Sequence, residues 1–495
     1  MNLRRPLAAA ASAAVFFMTH ASAAPPDQFY WLNEMNKASA VMVVEQGIVP
    51  PELGDRIARA ISQVIANGDK PGATRSRDYL VVEKDLIAIG GPDVTRVHSG
   101  RSRQDLAATS ERLFLRTDVL DFFTALNAYR GALLKMAQAN PDAIMPAYTW
   151  GVQAQPITYG HYLAAYGQAL SRDGERLRQE WARLNKSPLG SAALGTSSFP
   201  VNRARLAALL GFDGVVENSL DAIQIAPVDM RMESGATASS VALTVGMMLA
   251  DVTAQYGQTK PWFILTEGEQ TGVSSIMPQK RNPSSIVYTR SLASEVIGSA
   301  QTYALRAHNV QAGMTDYKLT EPDPTLRLAT RVLTQATGVM GALRFDAARA
   351  LDEVNADYST TTELADTLQR VADVPFRVGH HFASNVVTFG RSHNLRPTQI
   401  PYADAQRIYA ESAREFNTDP KLPLDEAAFR KALTAENMVQ ASQGVGGPQP
   451  AEVARMLAAQ KQQLEQDVAW VLATKGKLAT ASSSLDRDFA KLRRQ

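Results

Sequence analysis

Long stretches of this chain repeat apolar residues at intervals of three and four positions, and this spacing constrains the fold more than any other feature. Runs of β-branched residues are few. The spacing predicts long helices over residues 105–138, 158–184, 239–256, 284–306 and 326–351. Within the third of them, residues 241–250 are apolar on nearly every side, as in a helix buried inside a bundle. Because loops marked by Gly and Pro join these segments, we expect an all-α fold with an elongated helical bundle.

The composition sets the size of the core and argues against several classes of protein. The 495 residues are 45% hydrophobic and 20% charged, which is enough for two or three domains. Lysine and arginine are scattered and the net charge is only +2, so the basic stripe expected of a nucleic-acid-binding protein is missing. The chain has no cysteine, which excludes disulfides, thiolate metal sites and a cysteine nucleophile.

The N-terminus has the pattern of a secretory signal peptide. Arg4 and Arg5 precede an apolar run over residues 7–18, and the Ala-Ser-Ala of residues 21–23 resembles a signal-peptidase site. The alternative is a frayed hydrophobic helix at the N-terminus. No other stretch reaches the roughly 18 to 20 apolar residues of a membrane-spanning helix. We therefore expect a signal peptide over residues 1–23 and a soluble, exported protein without a membrane anchor, periplasmic if the source is a Gram-negative bacterium.

A polar loop over residues 271–283 has the strongest chemical character in the chain. It contains paired serines, a Met-Pro and then Lys280 and Asn282, a combination with little packing value. Asn282 suits an N-cap and Pro283 suits the first position of the helix predicted from Ser284. Lys280 and Asn282 would then lie beside a helix N-terminus, which favours a bound carboxylate.

Two further helix starts show similar polar decoration. Residues 102–105 (Ser-Arg-Gln-Asp) precede a helix expected near Leu106, and residues 153–156 (Gln-Ala-Gln-Pro) precede one expected near Pro156. Together with the polar loop, these starts would hold a small dianion. Taken singly, each is also explained by ordinary helix capping.

Three segments resemble motifs of known lyases. Residues 274–283 (SSIMPQKRNP) resemble the signature loop of the fumarase/aspartase superfamily. Residues 98–105 (HSGRSRQD) resemble the HTGRSRND segment of argininosuccinate lyases, and residues 148–156 (YTWGVQAQP) resemble their YTHLQRAQP segment. Further matches to the same branch lie at residues 188–191, 199–200, 209–222 and, more loosely, 446–450. The resemblance covers nearly all of the chain in order, so the chain is identified as similar to the argininosuccinate lyase family.

The resemblance implies an architecture. It is a three-domain fumarase/aspartase-type fold with a long central helical bundle, assembled as a homotetramer whose active sites are shared among three subunits. Residues 24–104 would form the N-terminal domain, residues 105–360 the central domain with the signature loop, and residues 361–495 the C-terminal helical domain. The family chemistry needs no cofactor and no metal, and no pair of histidines here has ligand-like partners.

The resemblance also implies a reaction and its residues. A base removes a proton from the carbon next to a carboxylate, a dianionic aci-carboxylate forms, and the amine leaves fumarate behind. Ser274 matches the base, and because a hydroxyl is a poor base, loop amides and nearby cations must stabilise its oxyanion. Fixed donors aimed at the developing charge would lower the barrier. Positions that match substrate-binding residues are Ser102, Arg103, Gln104, Thr149, Gln155, Lys280, Asn282 and Lys318.

Several positions depart from the family pattern. Trp150 stands where the family motif has a histidine, and Val287 stands where its glutamate partner is expected. A buried carboxylate without its imidazole would be costly, so we interpret the two changes as one coupled replacement by an apolar contact. Gln104 is one methylene longer than the motif asparagine, and Val273 replaces a glycine, which should stiffen the loop.

The residue that acts as the general acid is left open. Three histidines are candidates: His98 lies in a motif loop, His161 lies one turn into a predicted helix, and His308 lies closest in sequence to Lys318. For His98 we favour a positioning role over proton transfer, and for His161 a packed or hydrogen-bonded imidazole.

Two functions follow from these observations. The first is a lyase that releases fumarate from an N-succinyl amine, argininosuccinate or a related amino dicarboxylate. Export would make a biosynthetic role doubtful and favour scavenging. The second is a non-catalytic scaffold or binding protein that keeps the lyase fold, a reading that Trp150 and Val287 support. The intact Ser274, Lys280 and Asn282 argue against a scaffold, and the sequence does not name the leaving amine.

Overall fold

The computed structural model describes residues 26–493, and the predicted signal peptide lies outside the described residues. The long helices are α1 Gln28–Glu45, α2 Pro51–Gly68, α3 Tyr79–Gly90, α4 Arg103–Ala139, α5 Tyr159–Leu184, α7 Ala226–Tyr256, α8 Ser284–Ala307, α9 Pro324–Ala342, α10 Ala347–Ala356, α11 Thr361–Ala372, α12 Phe376–Ser392, α13 Tyr402–Glu415 and α16 Pro450–Leu492. The short ones are α6 Arg203–Leu209, α14 Glu426–Ala432 and α15 Ala435–Ala441, with 3-10 turns at Pro92–His98 and Pro397–Gln399 and a π turn at Asp221–Ile225. Helix dominates the described chain, which confirms the all-α prediction.

The strands form three small antiparallel pairs in the described chain. They are β1 Ile144–Thr149 with β2 Val152–Thr158, β3 Phe263–Leu265 with β6 Leu343–Phe345, and β4 Gly272–Val273 with β5 Arg281–Asn282. Two of these pairs carry residues of the predicted site, so the strands position chemistry although they add little to the core.

The central bundle consists of α4, α5, α7, α8 and α9, which pack on one another. Their buried residues form the largest apolar core of the described chain, which includes Phe122, Leu170, Val245, Leu292 and Leu333. Four of the five helices predicted from the apolar spacing lie here with nearly the expected limits, except that α7 begins earlier, after a π turn.

The helix predicted over residues 326–351 is wrong in one respect, because it is broken. Helix α9 ends at Ala342, the next three residues form β6, and α10 starts at Ala347. Leu343 is extended, and the Asp346 side chain caps α10 by accepting a hydrogen bond from the Arg349 amide. Leu343 is nevertheless buried, so the apolar spacing runs through the break and hides it.

Helix α7 is not buried on all sides as predicted. Val245 and Leu249 are buried, but Leu243 and Met247 are 58% and 63% exposed. They line a groove of about 590 Å³ between α7 and α8. The described residues of one chain therefore leave this apolar face of α7 uncovered.

We expected no stretch beyond the N-terminus to be as long and apolar as a membrane-spanning helix, and helix α7 corrects this expectation. The continuous segment Asp221–Tyr256 has a mean hydropathy of 1.3 in its most apolar window, and it is the one helix of the described residues long and apolar enough to cross a membrane. Half of that window is buried in the bundle. A core helix of a large bundle meets the same criterion.

Two smaller cores flank the bundle. The first joins α1, α2 and α3 through residues such as Met35, Ile61 and Leu86. The second joins α11, α12, α13 and α14 through residues such as Phe382 and Phe429. These cores lie in the segments assigned to the N-terminal and C-terminal domains, whose limits stay a prediction.

The last helix, α16, runs back along the molecule. It packs against α4 and α5, and further on against α1. Asp467 on α16 is fully buried and accepts hydrogen bonds from Arg130 at 2.7 Å and Arg178 at 3.0 Å. Leu485 and Phe489 join the core of α1–α3. The helix therefore fastens the first core to the bundle.

Candidate active site

The N-terminus of α4 carries the first group of predicted binding residues. Ser102 is the N-cap, so the helix begins at Arg103 rather than near Leu106 as predicted. The Ser102 hydroxyl accepts from the Gln104 amide at 3.3 Å, and the Asp105 carboxylate accepts from the Ser102 amide at 2.9 Å. This capping box places Arg103 and Gln104 in the first turn of a 37-residue helix, where an anion is favoured.

Asp105 fixes this helix start to a neighbouring loop. Its second oxygen accepts hydrogen bonds from the amides of Gly190 at 2.9 Å and Ala192 at 3.1 Å. The side chain is fully buried, and burial raises the pKa of its carboxyl to about 6 despite these amides. The sequence motif contains Asp105, but its role as the anchor of the loop was not predicted.

Lys318 lies beside this helix start. Its ammonium donates to the Gln104 side-chain oxygen at 2.9 Å, so the structure brings two predicted binding residues together over a long sequence separation. Burial lowers the pKa of Lys318, while the charge of Glu111 opposes that shift. The cluster of Ser102, Arg103, Gln104 and Lys318 can offer positive charge and donors to a carboxylate.

A buried ionic cluster that sequence reasoning missed holds the segment of Lys318. Arg231 on α7 donates to Glu111 at 2.6 Å, to Asp323 at 2.5 Å and to the Leu319 carbonyl at 2.9 Å. The side chains of Arg231, Glu111 and Asp323 are each at most 2% exposed. We call these three residues the Arg231 clamp; it ties the backbone next to Lys318 to helices α4 and α7.

The second group of predicted residues lies on a hairpin, not at a helix start. Residues 153–156 belong to β2, and α5 begins only at Tyr159, capped by Thr158. The helix start predicted near Pro156 is therefore wrong. Pro156 pairs with Pro146 across the hairpin, and the turn passes through Trp150 and Gly151, both at positive φ.

The hairpin exposes its predicted binding residues. Thr149 and Gln155 are exposed, and Trp150 at the tip is fully exposed. The hairpin is anchored through Gln153, whose side-chain nitrogen Nε2 donates to the Ser359 hydroxyl at 3.0 Å and to the Val354 carbonyl at 3.2 Å. Its tip is thus held in place while projecting away from its own chain.

The signature loop is closed by the short β4–β5 pair. Asn282 lies in β5, and Pro283 is the N-cap of α8, so the prediction of Asn282 as the N-cap is wrong. Gly272 in β4 pairs with Asn282, and a Cβ atom there would come within 2.4 Å of the Ser284 hydroxyl. That contact explains a glycine at the base of the loop.

Within this loop, the Ser274 hydroxyl oxygen faces amide donors. It accepts from the Met277 amide at 3.1 Å and from the Ile276 amide at 3.4 Å. Lys280 is exposed, and its amide donates to the Met277 carbonyl at 3.1 Å. The loop as a whole is open to solvent, with Ile276 82% exposed and Val273 78% exposed.

The start of α4, the β1–β2 hairpin and the signature loop are not joined to one another within one chain. Among the described residues, no hydrogen bond or ion pair joins the signature loop to the hairpin tip or to the start of α4. Trp150 is wholly exposed and Val287 is 55% exposed in the α7–α8 groove. These two residues therefore do not contact each other within one chain, and their coupled replacement stays a prediction.

The surroundings of His98 fit a positioning role. Its ring stacks on Tyr79 at 4.6 Å, and its Nδ1 lies 3.3 Å from the Arg101 guanidinium. Because a guanidinium only donates, Nδ1 is the acceptor and carries no proton. Burial, and then the charge of Arg101, lowers the pKa of His98 to about 3, so the ring is neutral near pH 7.

The other two histidines lie in different settings. The His161 Nε2 lies 2.9 Å from the Gly446 carbonyl and must be the donor, whereas its buried Nδ1 has no partner among the described residues. His308 is exposed, and its Nε2 lies 3.1 Å from the side-chain nitrogen Nδ2 of Asn309. No group of three or more His, Asp or Glu side chains in the described chain has metal-binding geometry.

Family models match most of the described chain. A model described as "Lyase" matches residues 32–298, and one described as "Argininosuccinate lyase C-terminal" matches residues 358–440. Argininosuccinate lyases from Methanococcus aeolicus and Methanocaldococcus jannaschii are 32% and 31% identical over 428 and 440 residues. These alignments cover 85% of both chains in the first case, and 86% of this chain and 87% of the relative in the second.

Solved structures share the fold. An EDDS lyase variant with bound fumarate superposes with a TM-score of 0.86 at 27% identity, covering 94% of this chain and 92% of that one. A fumarate lyase from Mesorhizobium sp. superposes with a TM-score of 0.65 at 16% identity, covering 87% and 95%. The second likeness concerns the fold alone, and it confirms the fumarase/aspartase-type architecture.

Proposed function

Because this chain belongs to the lyase family that includes the argininosuccinate lyases, we propose that it cleaves the C–N bond of an N-succinyl amine, argininosuccinate or a related amino dicarboxylate, by β-elimination. The chain is a carbon–nitrogen lyase, and fumarate is its product. What the proposal adds is the class of substrate and the residues that act on it.

The observation that carries the mechanism is the pair of amides that face the Ser274 hydroxyl oxygen. An alkoxide at this position would keep both amide donors and lie in the same loop as Lys280. Ser274 therefore takes the proton from the carbon next to a carboxylate, and the electron pair moves onto that carboxylate. The added negative charge is held by Lys280 and Asn282, and its stabilisation supplies most of the rate enhancement.

The second carboxylate of the substrate is assigned to the start of α4. Arg103 is exposed in the first helical turn, and Lys318 is held beside Gln104. The helix N-terminus adds its partial positive charge. The hairpin contributes Thr149 and Gln155 as further polar contacts. As the electron pair returns from the aci-carboxylate, the C–N bond breaks, and the leaving nitrogen takes up a proton from a general acid or from water.

This site is assembled from several chains in our proposal. The three groups lie apart in one chain, the signature loop is exposed, and the groove between α7 and α8 leaves Leu243 and Met247 uncovered. A homotetramer with shared active sites accounts for all three features. Export to the periplasm through residues 1–23 also belongs to the proposal and favours scavenging over biosynthesis.

The proposal is tested with the mature chain and a panel of N-succinyl amines, with fumarate release as the readout. Argininosuccinate, N-succinyl amino acids and N-succinyl alkylamines cover charged and neutral leaving groups. Release of fumarate from at least one member, in a tetramer by light scattering, is the expected result. A folded tetramer that releases no fumarate from any member would favour the scaffold alternative, and an active monomer would refute shared sites.

A further inference from the structure

A second cavity, of about 580 Å³, lies below the β1–β2 hairpin, between that hairpin, α5, the C-terminal end of α7 and β3. It is lined by residues outside the groups assigned to the dicarboxylate. The side chains that matter for its chemistry are Tyr148, Tyr162, Asp251, Gln255, Trp262 and Glu353.

The wall of this cavity is aromatic and rigid. The rings of Tyr148 and Trp262 are parallel within 2°, with centroids 6.5 Å apart. Tyr162 packs on Phe263 with centroids 6.3 Å apart. Trp262 and Phe263 are each 1% exposed, so the surrounding bundle fixes their orientation. Fixed aromatic faces attract cations through the negative potential above the ring.

The charge of the cavity is negative. Asp251 accepts hydrogen bonds from the hydroxyls of Tyr162 at 3.2 Å and Tyr166 at 2.8 Å, both on one oxygen. Among the described residues, no basic side chain lies within 4.0 Å of its carboxylate. Glu353, by contrast, is paired with Arg349, whose guanidinium lies 5.8 Å from the Trp262 ring. One carboxylate thus lines the cavity without a countercharge.

A further acceptor in the cavity has no partner. The Gln255 side chain lies at hydrogen-bonding distance from the Tyr148 hydroxyl, but its side-chain oxygen is buried and makes no hydrogen bond to any described residue. A buried acceptor in this state costs free energy unless a donor fills it. Ammonium and guanidinium groups are donors without acceptors, so they satisfy both this oxygen and the Asp251 carboxylate.

We propose that this cavity binds an organic cation, an alkylammonium or guanidinium compound, through Asp251, Gln255 and the face of Tyr148, which is 42% exposed and packs on the buried Trp262 ring. The uncompensated carboxylate of Asp251 disfavours a dicarboxylate here, so it is a different site from the one assigned to the substrate's carboxylates. The inference does not depend on the proposed reaction. Tyr148 directly precedes Thr149, so an occupied cavity lies next to the hairpin residues of the proposed active site.

Binding is tested by calorimetry on the mature chain, without turnover. The probes are n-butylammonium and n-butylguanidinium, with butyrate and n-butanol as the anionic and neutral comparisons. Both cations should bind, and the two comparison compounds should not. Asp251→Asn removes the charge and should weaken cation binding at least about tenfold, since a hydrogen bond to a charged group is lost. Cations that bind no better than n-butanol would overturn the proposal.

A matched control and a second variant keep the test decisive. Glu175→Gln removes one exposed charge from α5, about 20 Å from Tyr162 along the helix axis, and should leave binding unchanged. Ala254→Leu narrows the cavity from α7 without changing any charge and should weaken cation binding. If Asp251→Asn does not fold, Ala254→Leu decides the question: unchanged binding in this variant would show that the cations bind elsewhere.

Discussion

Replacing Arg231 by methionine should cost more stability than almost any other single change in the bundle. The guanidinium makes hydrogen bonds of 2.6 Å to Glu111, 2.5 Å to Asp323 and 2.9 Å to the Leu319 carbonyl. Burial raises the pKa of Glu111, and Arg231 opposes that shift. Removing one partner from a buried ion pair costs about 3–5 kcal/mol, a large share of the roughly 5–15 kcal/mol of a typical domain.

The two carboxylates should not suffer equally. Asp323 keeps the Tyr303 hydroxyl at 2.6 Å and the Leu326 amide at 3.0 Å, because it also caps α9. Glu111 loses the only cation within 4.0 Å of its carboxylate among the described residues. The double variant Arg231→Met with Glu111→Leu should therefore recover at least about 1 kcal/mol, since an apolar replacement of a buried pair is often neutral or better. The double variant should restore the position of Lys318 only in part, because the hydrogen bond from Arg231 to the Leu319 carbonyl remains lost.

The assay is urea unfolding at fixed chain concentration. The dependence of the unfolding free energy on urea concentration is compared between variants first, and the free energies of unfolding are compared afterwards. Arg183→Met is the matched control, because Arg183 also pairs with a glutamate, Glu233, but is 59% exposed. It should cost less than about 1 kcal/mol. A loss in Arg231→Met as small as in this control would refute the reasoning, and so would a double variant less stable than the single one.

Three further changes test other parts of the molecule. Ser274→Ala should lower turnover at least about a hundredfold with dicarboxylate binding retained, while Ser275→Ala should keep most activity, and full activity of the first variant would exclude Ser274 as the base. Trp150→His alone should not raise activity, whereas adding Val287→Glu should shift activity toward argininosuccinate non-additively, as kcat/KM of the cycle will show. Burial raises the pKa of Glu180 to about 8, so the folded chain keeps a proton that the unfolded chain releases. Stability should then fall by up to about 1.4 kcal/mol per pH unit between pH 5 and 8 in the wild type, and the part of this decline above about pH 6 should be much reduced in unfolding curves of Glu180→Gln, because Asp105, whose pKa is raised to about 6, contributes only below that pH.

The apolar spacing was sufficient for most of the bundle. Helices α5 and α8 begin and end within one residue of the limits that the apolar spacing predicts, although the start near Pro156 and the N-cap at Asn282 were wrong. The hairpin at residues 144–158 could not be predicted in the same way. Its first strand is nearly all apolar, its alternation is limited to residues 152–156, and Pro156 resembles the first residue of a helix although it pairs with Pro146 in a strand. Short strands of this kind depend on the neighbouring core more than on local sequence.

The chemistry was predictable where residues are adjacent in sequence, and not where they meet only in the fold. Ser102, Arg103 and Gln104 are contiguous, so their place at a helix start could be anticipated. The Arg231 clamp joins residues 92 and 120 positions apart. A charged residue on a predicted helix is usually solvated, so nothing in the sequence distinguishes Arg231 from a surface arginine.

Trp150 and Val287 raise the same question for contacts between chains. In the family they resemble, these positions hold a histidine and a glutamate, yet here the indole is wholly exposed and the valine lines the groove beside Met247. Within one chain each change is a substitution on a surface, and such changes should be nearly independent. Any strong non-additivity between them must therefore arise between chains. The double-mutant cycle thus tests the coupled replacement and the shared site together: additive effects in a proven tetramer would mean that the two residues do not meet there.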